Sequence, residues 1–151
     1  MPVNSFEAYL HASHGQYTIS TDPARLDIKA IYQYITESYW ARGRTYETVA
    51  RTLEHSLCFG LYSDDTQIGF ARVITDYAVS AHLCDVYVLH AYQGQGLGKW
   101  LVRCALDHPE LRTVRRWTLN TADAHGFYTQ FGFRPLATPE IQMELVRTFP
   151  S

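Results

Sequence analysis

No stretch of this chain approaches the roughly 20 consecutive apolar residues that a membrane-spanning helix requires, so no membrane association is expected. Cysteine is scarce. Cys58, Cys84 and Cys104 are odd in number and sit in apolar segments, which points to reduced core thiols and excludes a disulfide framework. His11 and His14 lack Cys or carboxylate companions at ligand spacing, so no metal is expected. Positive charge is not in excess either, with 13 Lys and Arg against 15 Asp and Glu for a net charge of -2. A nucleic-acid partner would call for a broad basic footprint, and the local cluster Arg112, Arg115 and Arg116 reads as the solvated start of a strand. The first fifteen residues carry no basic flank followed by an apolar stretch, and a cytoplasmic protein is expected. Repeats, low-complexity tracts and long Pro/Gly/Ser linkers are also missing, so no domain boundary is expected.

What remains suits one globular domain, 1-151, with residues 1-15 as a loosely held lead-in. The chain has 151 residues, 46% hydrophobic and 19% charged, enough to bury a core. Tyr17 to Thr21 alternates as a short strand. Asp22-Pro23 supplies an N-cap followed by proline, predicting a helix from about Ala24 to Ser38, and Thr45 caps a second helix reaching about His55. Leu57 to Tyr62, Gln67 to Thr75 and His82 to Leu89 read as strands. A helix over 98-107 ends at His108-Pro109. A strand from Arg116 to Thr121, a short helix from Ala124 to Phe131, and a final strand pair, Phe133 to Leu136 and Ile141 to Val146, complete the chain. The order β-α-α-β-β-β-α-β-α-β-β predicts an α/β fold with one mixed, mostly antiparallel twisted sheet flanked by helices.

The most informative segment is Gln93-Gly-Gln-Gly-Leu-Gly98, between the apolar run Asp85 to Leu89 and the helix. A strand that turns through glycines into a helix gathers free backbone N–H groups and the positive end of a helix dipole, an arrangement that binds phosphate. A nucleoside-triphosphate loop fails here, because Gln93 stands five residues before Gly98 where glycine is needed and Trp100 follows Lys99 where a hydroxyl is needed. The dinucleotide fingerprint fails too. Its third glycine falls on Lys99 or Leu101, and Leu111 to Asn120 holds no acid for the ribose.

Gln93-x-x-Gly96-x-Gly98 resembles the Gln/Arg-x-x-Gly-x-Gly/Ala signature of the GNAT N-acetyltransferase superfamily. The segment Ala124-His-Gly-Phe-Tyr128-Thr-Gln-Phe-Gly132-Phe133 is similar to that family's second motif, and the element order matches as well. The resemblance implies an enzyme that transfers acetyl from acetyl-coenzyme A to the primary amine of a small molecule by direct attack in a ternary complex. Protein or peptide acetylation and a non-catalytic acyl-coenzyme A binding module are the alternatives. Dimers are common in the family, so a homodimer is compatible with the resemblance.

The same resemblance distributes roles along the chain. Main-chain groups of Tyr87, Val88 and Leu89 would hold the pantetheine arm and offer an N–H to the oxyanion, while Gln93, Gly94, Gln95, Gly96, Leu97, Gly98 and Lys99 would hold the pyrophosphate. Tyr128 matches the tyrosine that protonates the departing thiolate, for which a phenol is a plausible acid. Thr121 stands where the family often has an Asn that touches the coenzyme. His82, eleven residues before Gln93, occupies a place where some members carry a general base, and Asp85 competes for that role. Strict alternation puts these two on opposite faces of their strand unless a bulge intervenes. For the acceptor, the first two helices and following strands offer Tyr39, Trp40, Arg42, Arg44, Phe59 and Arg72, a mixture suited to an apolar substrate that also carries a carboxylate.

Overall fold

Each of the first two helices begins where a side-chain oxygen can take a free amide. In the computed structural model, which describes residues 11-38 and 43-148, the Asp27 carboxylate caps α1 (Ile28–Glu37) by accepting from the Ala30 amide at 3.0 Å. The Thr45 hydroxyl caps α2 (Tyr46–Glu54) by accepting from Thr48 at 3.1 Å. The expected helix start at Asp22-Pro23 is corrected. Asp22 caps only a single 3-10 turn, Pro23–Arg25, before Leu26 returns to extended backbone. Asp27 then provides a second cap, and a new cap outcompetes continuation because Asp favours the non-helical N-cap conformation.

The described residues divide into two compact units, one ending at Asn120 and the other starting at Thr121. The first contains a six-stranded sheet whose spatial order equals the chain order: β1 (His11–His14), β2 (Tyr17–Ser20), β3 (Leu57–Ser63), β4 (Thr66–Thr75), β5 (Ser80–Val88) and β6 (Arg116–Thr118). Every neighbouring pair is antiparallel except β5 and β6, which run parallel. The sequence missed β1, since His11 to His14 lie inside the segment read as lead-in, yet they pair in register with Tyr17 to Ser20.

One sheet face is covered by α1 and α2. Ile31, Ile35, Val49 and Leu53 pack there on Cys58, Phe70 and Tyr87, with Tyr34 stacked on the Tyr87 ring at 3.8 Å. Burying each such aliphatic side chain contributes about 1.5–3 kcal/mol. The helix α3 (Leu97–Leu106) packs on β3, β4 and β5, burying Leu97, Leu101, Val102 and Ala105. Phe59, expected in an acceptor pocket, is instead fully buried and meets His108, just beyond α3, edge-on at 5.7 Å. Among the described residues no helix is long and apolar enough to cross a membrane.

The second unit holds α4 (His125–Thr129) and a 3-10 turn, Pro139–Ile141. The final pair of strands expected at Phe133 to Leu136 and Ile141 to Val146 does not form. Ile141, Met143 and Leu145 do alternate, but they stand 76%, 93% and 77% exposed, and an alternating segment without a paired neighbour has nothing to hold it extended. Pro135 also removes an amide that a ladder would use.

Candidate active site

The register of β4 against β5 slips once. Phe70 pairs with Tyr87 and Arg72 with Cys84, two steps on β4 against three on β5, and Asp85 within that interval has φ +53°. This is a bulge carrying one extra residue, in a left-handed conformation that Asp tolerates better than most side chains. It breaks the alternation expected for the strand. Asp85 consequently reaches the face of Arg72, the strand partner of Cys84, and shares it with His82.

Beyond the bulge one edge of β5 is open, because its pairing with β6 covers only Ser80, Ala81 and His82. On the opposite edge the Leu89 amide donates to the Ile68 carbonyl at 2.8 Å. Because consecutive residues of a strand direct their backbone groups to opposite sides, the N–H and C=O of Val88 face the open edge. The Leu89 amide is therefore committed to the sheet, and so are those of Tyr87, which pairs with Phe70. Of the three residues expected to offer an N–H, the geometry leaves Val88.

The two candidate bases stand in different environments. Asp85 is buried, its Oδ2 receives the Arg72 Nε at 2.8 Å and lies 3.4 Å from Arg44, while Arg72 also donates to the Ser56 hydroxyl at 3.0 Å. Asp85 Oδ2 thus sits between two guanidinium groups as an ion-pair partner. Arg72, nearly buried and doubly engaged, is likewise not free to receive an acceptor carboxylate. His82 is half-buried with Nδ1 2.8 Å from the Thr118 hydroxyl. Burial, and then the Arg72 charge, push its pKa below the ordinary histidine value, with Asp85 opposing. A neutral imidazole at physiological pH is the form that accepts a proton. Burial pushes the Cys58 thiol up to about 12 and that of Cys84 up to about 11. Neither supplies the thiolate that a covalent acyl intermediate would require.

The glycine loop follows β5 through a 3-10 turn, His90–Tyr92. Gly94 and Gly96 have φ of +82° and +79°, where any side chain would be strained. Gly96 is the N-cap of α3, without a side-chain cap, and the first intrahelical bond runs from Trp100 N–H to Gly96 C=O. The amides of Leu97, Gly98 and Lys99 thus lie in the first turn, whose N–H groups have no intrahelical partner. A Cβ added at Gly94 or Gly96 would meet nothing within 4 Å, so the space beside these amides is open to an anion. The glutamine side chains point elsewhere. Gln95 accepts from the Tyr17 hydroxyl at 3.1 Å and donates to the Tyr92 carbonyl at 3.2 Å, while Gln93 donates to the Val88 carbonyl at 2.8 Å. Nothing in the sequence spacing signals these two braces.

In the second unit Tyr128 is half-buried on α4, beside the rings of Phe127 and Phe133 at 5.0 and 6.0 Å. Burial raises its pKa to about 12. The Thr121 hydroxyl accepts from the Ala124 amide at 3.0 Å, a bond that shapes the turn into α4. Tyr39, Trp40 and Arg42 lie outside the described residues. An open cleft of about 610 Å³ lined by Tyr77, Pro109, Glu110, Arg112 and Thr113 sits at the opposite end of β5 from the loop, away from this chemistry. Among the described residues no group of three His, Cys, Asp or Glu side chains is disposed to hold a metal.

An acetyltransferase (GNAT) domain model matches residues 54-135. A crystal structure of a GNAT-family protein from Xanthomonas campestris superposes with a TM-score of 0.85 at 41% identity, covering 89% of this chain and 94% of that one. A Gibberella zeae protein named as an acetyltransferase is 30% identical, over 81% of each chain. A Glycine max protein named as a histone acetyltransferase is 41% identical over 75 residues, 48% of this chain and 31% of its own length.

Proposed function

The chain belongs to the GNAT acetyltransferase family, and from that premise we propose that it acetylates the primary amine of a small molecule from acetyl-coenzyme A, by direct attack in a ternary complex. The observation that carries this reading is the open edge of β5 leading straight into an uncapped, glycine-turned helix start. Acetyl-coenzyme A supplies the thioester whose carbonyl the amine attacks.

The first-turn amides of Leu97, Gly98 and Lys99, with the helix dipole behind them, hold the pyrophosphate, and Val88 N–H faces the thioester oxygen as charge develops on it. His82, neutral and half-buried, receives the amine proton directly or through water. Burial pushes the Tyr128 phenol up to about 12, so it keeps its proton at neutral pH. Tyr128 is assigned as the proton donor to the departing thiolate, the role that the similarity to the family's second motif implies. The family match runs from residue 54 to residue 135 without a break at Asn120, which supports the expectation of a single acetyltransferase domain, 1-151. High Cys58 and Cys84 pKa values favour direct attack over a cysteine-bound acyl group.

An amine panel assayed by thiol release, with a lysine-containing peptide included, tests the proposal. Turnover of a small amine is expected. Turnover of the peptide alone would assign a protein substrate, the reading favoured by the similarity to the Glycine max protein. Binding of acetyl-coenzyme A without any turnover would leave a coenzyme-binding module, and absence of binding would overturn the donor site.

A further inference from the structure

We propose that Gln93 is a positioning residue for acetyl transfer, fixing the Val88 N–H through the Val88 carbonyl. The inference rests on the donor site assigned above. The peptide between Val88 and Leu89 is gripped at both ends, with its C=O accepting from Gln93 Nε2 at 2.8 Å and its N–H donating to Ile68 at 2.8 Å. A peptide unit is planar, so two bonds on opposite sides fix its rotation, and the adjoining peptide that carries Val88 N–H is joined to it through the Val88 Cα and positioned relative to it. On the open edge no strand performs this task, because β6 ends at Thr118, the partner of His82.

The atom nearest the Val88 carbonyl must be a donor, which identifies it as Nε2 and turns the Gln93 oxygen elsewhere. That oxygen is an acceptor and offers nothing to a phosphate. Gln93 is also the first residue of the glycine loop, and its own amide donates to His90 at 3.2 Å. One side chain thus ties the loop that holds phosphate to the strand edge that receives the acetyl group. The requirement is a long side chain ending in an N–H donor, which Gln and Arg share and which Leu and Glu lack.

The test compares Gln93→Leu, Gln93→Glu and Gln93→Arg with the parent protein. Acetyl-coenzyme A binding is measured by titration calorimetry, turnover with the best amine of the panel, and exchange of the Leu89 amide by NMR. In Gln93→Leu and Gln93→Glu, kcat is expected to fall about tenfold, less than the loss of an oxyanion donor itself, with KM for acetyl-coenzyme A changed less than about threefold. Leu89 exchange should quicken in both, and Gln93→Arg should restore both readouts. A large rise in KM with kcat retained would make Gln93 a direct coenzyme ligand and overturn the proposal, as would unchanged Leu89 exchange in Gln93→Leu. Failure of the parent protein to bind acetyl-coenzyme A would instead refute the donor-site reading.

Discussion

Arg72 and Asp85 show how much a single side chain can decide here. Arg72→Met would leave a buried carboxylate with only the partly exposed Arg44 near it. Stability should fall by about 3–5 kcal/mol in urea titration, and adding Asp85→Asn, which removes the charge but still suits the left-handed backbone, should recover part of it, since much of the cost lies in the unpaired charge. His82 makes a prediction about pH. Its pKa is lowered by burial, so the base is available throughout the neutral range. The rate should decline only as pH falls below the ordinary value of about 6.5, when the imidazole becomes protonated. A kcat/KM profile should show that acidic limb, and His82→Gln should remove it. A limb that persists in the variant would transfer the role to another group.

At the scale of elements, the start of α3 carries the coenzyme assignment. Gly96→Ala would force a Cβ into φ +79°, costing about 1–2 kcal/mol, and would tilt the first-turn amides. Weaker acetyl-coenzyme A binding by calorimetry is expected, together with a lower melting temperature. This element was legible in the sequence because glycine spacing reports backbone geometry directly. The N-cap of α2 and the strands β3 to β6 were legible for similar reasons, in that Thr45 and the apolar alternation act locally. The bulge in β5 was not legible, because its left-handed residue is Asp and its slip exists only against β4. The division of α1 was hidden behind Asp22-Pro23, a stronger start signal than Asp27. The last two expected strands failed for the opposite reason. Alternation names a face, but only a neighbouring strand can use it. The braces from Gln93 and Gln95 are tertiary bonds, invisible to any local pattern.

Over the whole molecule, distant segments converge on the glycine loop. Tyr17 reaches Gln95 across 78 positions of chain, its ring meets Tyr92 edge-on at 6.4 Å, and His14 lies 5.8 Å from Trp100. Tyr17→Phe should therefore weaken acetyl-coenzyme A binding by about 0.5–1.5 kcal/mol while leaving the fold's circular dichroism unchanged. The sheet order carries a different consequence. Because spatial order equals chain order from β1 to β6, each strand can dock on one already synthesised as the chain leaves the ribosome, and no edge must wait for a later strand to be inserted. A nascent chain that has emerged through Val88 can hold the five-stranded antiparallel part of the sheet. The donor edge would then exist before translation has produced the helix start that completes it.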